Sequence, residues 1–152
     1  MKALARCLLI LAALAGLHMP VRAQEMLIAR SARDFEETMT ALQGAIAARG
    51  YKVIRVQRVD VGLQAKGYTT DKYRVVFYGK ADEVARLAER HPDLIAFLPL
   101  NVAIFSEGPQ TLITTNRPRS LAALFPTPEL ERTFAHWEAD LIGIFEEIRR
   151  AR

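Results

Sequence analysis

The stretch Asn101-Val102-Ala103-Ile104-Phe105-Ser106-Glu107-Gly108-Pro109-Gln110-Thr111-Leu112-Ile113-Thr114-Thr115 decides what kind of domain this chain builds. Asn101–Phe105 is apolar at consecutive positions, the pattern of a central strand buried on both faces. Glu107-Gly108-Pro109 is a turn signal, and Thr111–Thr115 is again rich in β-branched residues. The reading is an antiparallel hairpin. A hairpin needs a sheet around it, and the neighbouring segments must supply the other strands and their cover.

Upstream, Tyr73–Tyr78 is a β-branched and aromatic strand closed by Gly79. Tyr51–Val59 is also strand-like, with Ile54 and Val56 expected on one face and Arg55 and Gln57 on the other. Met26–Arg30 is a short apolar stretch suited to a first strand. Ser31-Ala32-Arg33-Asp34 then reads as a capping box for the helix that follows. In that helix Phe35, Met39, Leu42 and Ile46 share one face, and Gly50 is placed to end it in a left-handed cap. Ala81–Arg90 is a short helix with Val84, Leu87 and Ala88 inward, stopped by His91-Pro92. Between the second and third strands, Asp60–Thr70 is a Gly-punctuated connection with room for one helical turn.

Downstream the signal is strongest. Thr127 caps a helix, Pro128 occupies its first position, and Glu129 and Glu131 complement its dipole. Leu130, Phe134, Trp137, Leu141, Ile144, Phe145 and Ile148 fall within an arc of roughly 100° at 3.6 residues per turn. The order β-α-β-β-α-β-β-α predicts an α+β fold. Residues 24–152 form a single domain, a mixed sheet of about five strands with helices packed on it and a long amphipathic C-terminal helix.

The first 23 residues have a different character. Lys2 and Arg6 precede an unbroken apolar run from Cys7 to Leu17, and Val21 and Ala23 stand at the −3 and −1 positions of a cleavage site. That is the layout of a secretory signal cut after Ala23, which places the mature protein in the periplasm. The run is shorter than the roughly 20 residues a membrane span needs, so no stable membrane anchor remains after cleavage. Lys2, Arg6 and Arg22 leave with the signal; 21 basic residues less these three is 18, against 17 acidic. A nearly neutral domain lacks the phosphate-neutralising surface of a nucleic-acid binder. Cys7 leaves too, so the mature chain is cysteine-free, without disulfides, thiolate nucleophiles or Cys-ligated metal centres.

No catalytic motif stands out in what remains. His136 lies one turn before Asp140 on the polar face of the last helix, a spacing that orients an imidazole but more commonly marks a solvated helix contact. His91 sits in the last turn of its helix, where positive charge suits the dipole. Two isolated His and no Cys argue against zinc. Met39 belongs to the core face of its helix, so a copper site with Met26 yields to gap-filling. Arg55, Arg58, Lys66, Lys72 and Arg74 are dense enough to receive an anion, or to form a solvated strand face. The Asp60–Tyr68 connection has the best claim to a ligand site. It offers Asp60, Gln64, Lys66 and Tyr68 with Gly62 and Gly67 between them. The expectation is that Asp60, Lys66, Tyr68 and Asn101 face a common cleft for a small anionic ligand.

With its elements placed, the chain resembles the domain-of-unknown-function 302 family, also called the TT-seventeen-fifty-one-like fold. The likeness is carried by Phe35-Glu36-Glu37-Thr38 opening a helix, Gly50 closing it, and Val59-Asp60-Val61 leading to Gly67. It continues through Val76-Phe77-Tyr78-Gly79-Lys80, His91-Pro92-Asp93 and Leu98–Phe105, and covers nearly all of residues 26–150. The resemblance implies an α+β sheet fold and a tendency to form homodimers. It brings no catalytic residue and no cofactor with it. The expected function is a periplasmic binding or accessory module for a small ligand or partner protein. The alternatives are an enzyme using acid–base residues of the 60–68 connection and, more weakly, a transition-metal binder.

Overall fold

The computed structural model describes residues 26–150. The expected signal segment lies outside the described residues. Five strands form one sheet in the order β1-β5-β4-β3-β2: β1 Met26–Ser31, β2 Lys52–Arg58, β3 Tyr73–Gly79, β4 Leu100–Glu107 and β5 Gln110–Asn116. The helices are α1 Phe35–Ala48, α2 Val59–Gln64, α3 Ala81–Arg90 and α4 Pro128–Arg150, with 3₁₀ turns at Pro92–Phe97 and Pro118–Ala123. No helix among them is long and apolar enough to cross a membrane.

Every strand pairing is antiparallel. The expected mixed sheet is corrected on this point. β1 and β2 run the same way but stand at opposite edges of the sheet, so the one connection that joins like-directed strands never makes them neighbours. α1, which links them, lies across the sheet and covers it.

The core lies on one face. Ala29, Ile113 and Ile104 stand in one row across β1, β5 and β4, and Val76 pairs with Val102 in the next strand pair. All five are buried. Against them pack Phe35, Met39, Leu42 and Ile46 of α1 and the whole apolar stripe of α4, from Leu130 to Ile148. Among the described residues, the opposite face carries no helix. Along it run Ile28, Thr114, Ala103, Val75 and Gln57 in one row, and Arg30, Leu112, Phe105 and Tyr73 in another. β4 is central as expected, but it is buried on one face only: Val102 and Ile104 are buried while Ala103 and Phe105 are half-exposed. Their apolar character comes from mutual shielding along the open face, such as the edge-to-face contact of Phe105 with Tyr73 at 6.2 Å. A bidentate pair from Arg30 to Glu107 crosses β5 above Leu112 and closes that corner.

Two local details depart from expectation. The N-cap of α1 is Asp34, whose carboxylate accepts the Glu37 amide at 2.9 Å. Ser31 instead ends β1, buried, and its hydroxyl accepts from Thr38 Oγ1 and the Arg33 amide. Burial at the strand end commits it to that network, so the solvent-facing Asp caps instead. In β2 a bulge between Val53 and Arg55 shifts the register, and Ile54 is left 59% exposed at the sheet edge.

Candidate functional site

A groove opens at the end of the sheet where β4 begins and β5 ends. One wall is the Pro92–Phe97 turn, which leads through a cis Leu98–Pro99 peptide into β4. The other wall is the Asn116–Leu124 segment with its own 3₁₀ turn. Between them lies about 670 Å³, with Phe77, Leu100 and Leu121 contributing apolar surface and Asn101, Asn116, Arg117 and Ser120 contributing polar groups. A mostly apolar concavity with a few convergent polar groups is the usual form of a small-molecule site.

The walls are anchored from behind. Glu138 is buried, although it sits at the margin of the α4 stripe. It accepts from Arg117 Nη1 at 2.8 Å and from the Arg119 amide at 3.2 Å, latching the 117–119 segment to the helix. Ser120 Oγ donates to the Arg117 carbonyl at 2.6 Å and tightens the same turn. A file of aromatic rings runs outward from the core: Trp137 to Phe134 at 5.7 Å, Phe134 to Phe125 at 6.3 Å, Phe125 to Phe97 at 5.7 Å. The rim is thus held by edge-to-face and tilted ring contacts, and its outermost members, Phe97 and Leu124, are 39% and 63% exposed. Asn101 is held at the mouth by its backbone, whose carbonyl accepts from Thr115 Oγ1 at 2.6 Å. Among the described residues, neither the Asn101 nor the Asn116 carboxamide takes a hydrogen-bond partner, which leaves both available to a ligand.

The family is decided by a match along most of the chain. The model described as "Domain of unknown function DUF302" covers residues 28–148. The chain belongs to this family. It is also similar to a solved structure, the uncharacterized conserved protein DUF302 from Bacillus stearothermophilus, at 22% identity and a TM-score of 0.75. That likeness covers 84% of this chain and 100% of the other, and at this identity it speaks to the fold alone. No match was found among curated proteins.

The residues expected to share a cleft are distributed differently in this DUF302 domain. Asp60 is buried on the helix side of the sheet, ion-paired with Arg74. Burial alone would raise its pKa; the Arg74 hydrogen bond, the Val61 amide and the field of Arg74 and Arg58 outweigh that and hold it below the usual carboxylate range. Lys66 and Tyr68 are exposed on the turn that closes α2, where Gly67 takes a φ of 85° and Gln64 bonds back to the Thr70 carbonyl. Asn101 pairs with Phe77 on the open face, four residues along β3 from Tyr73 and so roughly 13 Å from that end. Asp60 and Asn101 therefore lie on opposite faces and do not converge. Of the four, only Asn101 lines the groove.

His91 joins two helices, while His136 pairs within its own. His91 and Arg90, at the end of α3, both meet Glu129 in the first turn of α4, at 3.4 and 2.6 Å. His136 stands 3.4 Å from Asp140, which also accepts from the Tyr51 hydroxyl at 2.7 Å. Burial, then the Asp140 hydrogen bond, pushes the Tyr51 phenol up, and burial does the same to Tyr78. Both phenols are moved further from neutrality, the direction that keeps a group inert at physiological pH. Among the described residues no cluster of three or more His, Cys, Asp or Glu is disposed to hold a metal ion. The groove residues that sequence reasoning missed, Asn116, Arg117, Ser120 and Leu124, lie in a stretch whose one available signal was an apolar run, Leu121-Ala122-Ala123-Leu124-Phe125, placed in a connection.

Proposed function

We propose that this DUF302 domain is an exported binding module whose groove receives a small molecule with an apolar body and a hydrogen-bonding head. The observation that carries the reading is the pairing of an apolar, ring-braced concavity with two unengaged carboxamides at its mouth. The charge of Arg117 is already met by Glu138, so the head group is better matched by amide recognition than by charge. Ala123 lines the groove and is exposed, so Ala123→Trp fills the space without touching the core. With the fluorescent apolar dye 1-anilinonaphthalene-8-sulfonate as probe, that variant should bind at least tenfold more weakly than wild type at an unchanged melting temperature. Equal dye binding by the two proteins would refute the groove as the site. Asn101→Ala removes one hydrogen bond and should cost the dye or any polar ligand about 0.5–1.5 kcal/mol.

Two further features support the same reading. The apolar run and the Val21-x-Ala23 pattern support export, and β1 begins at Met26, so cleavage after Ala23 removes no part of the described fold. The uncovered sheet face supports a homodimer. Five strands about 4.8 Å apart and some six residues long present about 500 Å² in projection, so pairing two such faces buries about 1,000 Å² or more, enough for a specific interface. Protein recovered from the periplasm should begin at Gln24 on N-terminal sequencing and show twice the chain mass on native mass spectrometry. A chain that still starts at Met1 refutes export, and a monomer at high micromolar concentration refutes the dimer.

A further inference from the structure

The surface cations of this domain are unequally matched. Arg30, Arg49, Lys72, Arg90 and Arg150 each hold a carboxylate partner. Cations without an ion pair are densest in the segment from β2 through the turn after α2. Lys52, Arg55, Arg58 and Lys66 are all exposed there, and among the described residues none has a carboxylate within ion-pair distance. Asp60 is the one acidic residue between positions 51 and 68, and it is buried against Arg74. Four cations without an ion pair gather along one edge, Arg58 alone among them acting on Asp60 through its field. Large apolar side chains are exposed in the same segment: Ile54 at 59%, Val56 at 37%, Val61 at 42% and Tyr68 at 64%.

We propose that the β2 edge is a docking surface for a phospholipid bilayer with anionic headgroups. The cations supply attraction to the headgroups, and the interleaved aliphatic and phenolic side chains supply shallow apolar insertion, the combination that holds peripheral proteins at an interface. Tyr68 has the amphipathic ring favoured at that depth. The competing occupant of a sheet edge is an acidic peptide added as a further strand. The geometry disfavours it, because the bulge between Val53 and Arg55 interrupts the outward hydrogen-bonding register. None of the edge residues lines the groove, although Arg55 pairs across the strands with Phe77 of the groove, and the proposal stands independently of what the groove binds.

The test is flotation of the full chain with vesicles of phosphatidylcholine alone and of equal parts phosphatidylglycerol and phosphatidylcholine, at low and high salt. Wild-type protein should partition onto the anionic vesicles more strongly than onto the neutral ones, with the excess lost at high salt. Each reversed cation lowers such partitioning at least roughly fivefold. Arg55→Glu/Lys66→Glu should therefore lose the anionic preference, and Ile54→Ser/Tyr68→Ser should weaken binding to anionic vesicles at unchanged charge. All variants keep residues 1–25, so any contribution of that apolar segment is common to them. Arg132→Glu/Arg149→Glu, exposed on α4, is the control for net charge and should leave the preference in place. Equal binding of wild type to both vesicles, or equal loss in the α4 control, overturns the proposal. So does an acidic peptide that binds wild type but not Arg55→Glu/Lys66→Glu while vesicles show no preference; that result assigns the edge to strand addition instead.

Discussion

Trp137→Ala is expected to destabilise the domain by about 3–5 kcal/mol, lowering the melting temperature by roughly 10–20 °C. Trp137 is 1% exposed, lies 5.7 Å from Phe134, and donates its indole N–H to Glu83 of α3 at 3.2 Å. Its removal leaves a cavity where α4, α3 and the sheet meet, and leaves the Glu83 acceptor without its donor. Trp137→Phe separates the two contributions. It keeps most of the ring volume and loses the N–H, so its cost should be about 1–2 kcal/mol. Thermal melts of both variants check the claim. An alanine variant that melts within a degree or two of wild type would show that α4 is a detachable tail.

Arg74→Met should be comparably damaging, by about 3–5 kcal/mol at neutral pH, because it strands the Asp60 carboxylate in a buried site without its counter-charge. Arg74 also lies over the Phe35 ring at 5.6 Å, a contact the thioether replaces only in part. The pH dependence gives the sign. In wild type Asp60 is held below its unfolded-state value, so its contribution is fully present above about pH 4 and is lost as the pH falls through the folded-state pKa. In Arg74→Met the same carboxyl keeps its desolvation and loses the Arg74 contribution, retaining only the Val61 amide and the field of Arg58; its pKa rises, and acidification relieves the penalty. The stability gap between the two proteins should therefore narrow as the pH is lowered from 7 towards 4. Asp60→Asn/Arg74→Met removes both charges and should be more stable at pH 7 than Arg74→Met alone. Urea titrations at several pH values measure all three; a gap that widens on acidification would contradict the assignment of Asp60 as an ion-paired anion.

The C-terminal helix shows how local rules survive folding. Thr127 Oγ1 accepts the Leu130 amide at 3.3 Å, the helix starts at Pro128, and every residue of the expected stripe is buried. Periodicity is enough here because a 23-residue amphipathic helix has one face that must be covered, whatever covers it. The hairpin was legible for a similar reason: Gly108 takes a φ of 60° at a turn between two β-branched runs. The exchange of Ser31 for Asp34 at the α1 cap was not legible, since both residues can cap and only burial of the strand end chooses between them.

The groove was less visible. Asn101 was recognised, but as the partner of Asp60, Lys66 and Tyr68, which lie elsewhere. A loop rich in functional groups reads the same whether its carboxylate meets solvent or a buried guanidinium. Asp60 meets Arg74, and that pairing turns an apparent ligand residue into part of the scaffold.

The amino-acid sequence by itself determined the elements of this DUF302 domain, the α+β class, and the stripe that buries α4, because capping, turn chemistry and periodicity act within a few residues of chain. Tertiary structure alone decided the strand order, the uncovered face, and the meeting of Phe77, Asn101 and Arg117 around one groove. Those depend on which distant segments come into contact, and a side chain's charge, exposure and availability are set by neighbours in space that sequence spacing does not encode.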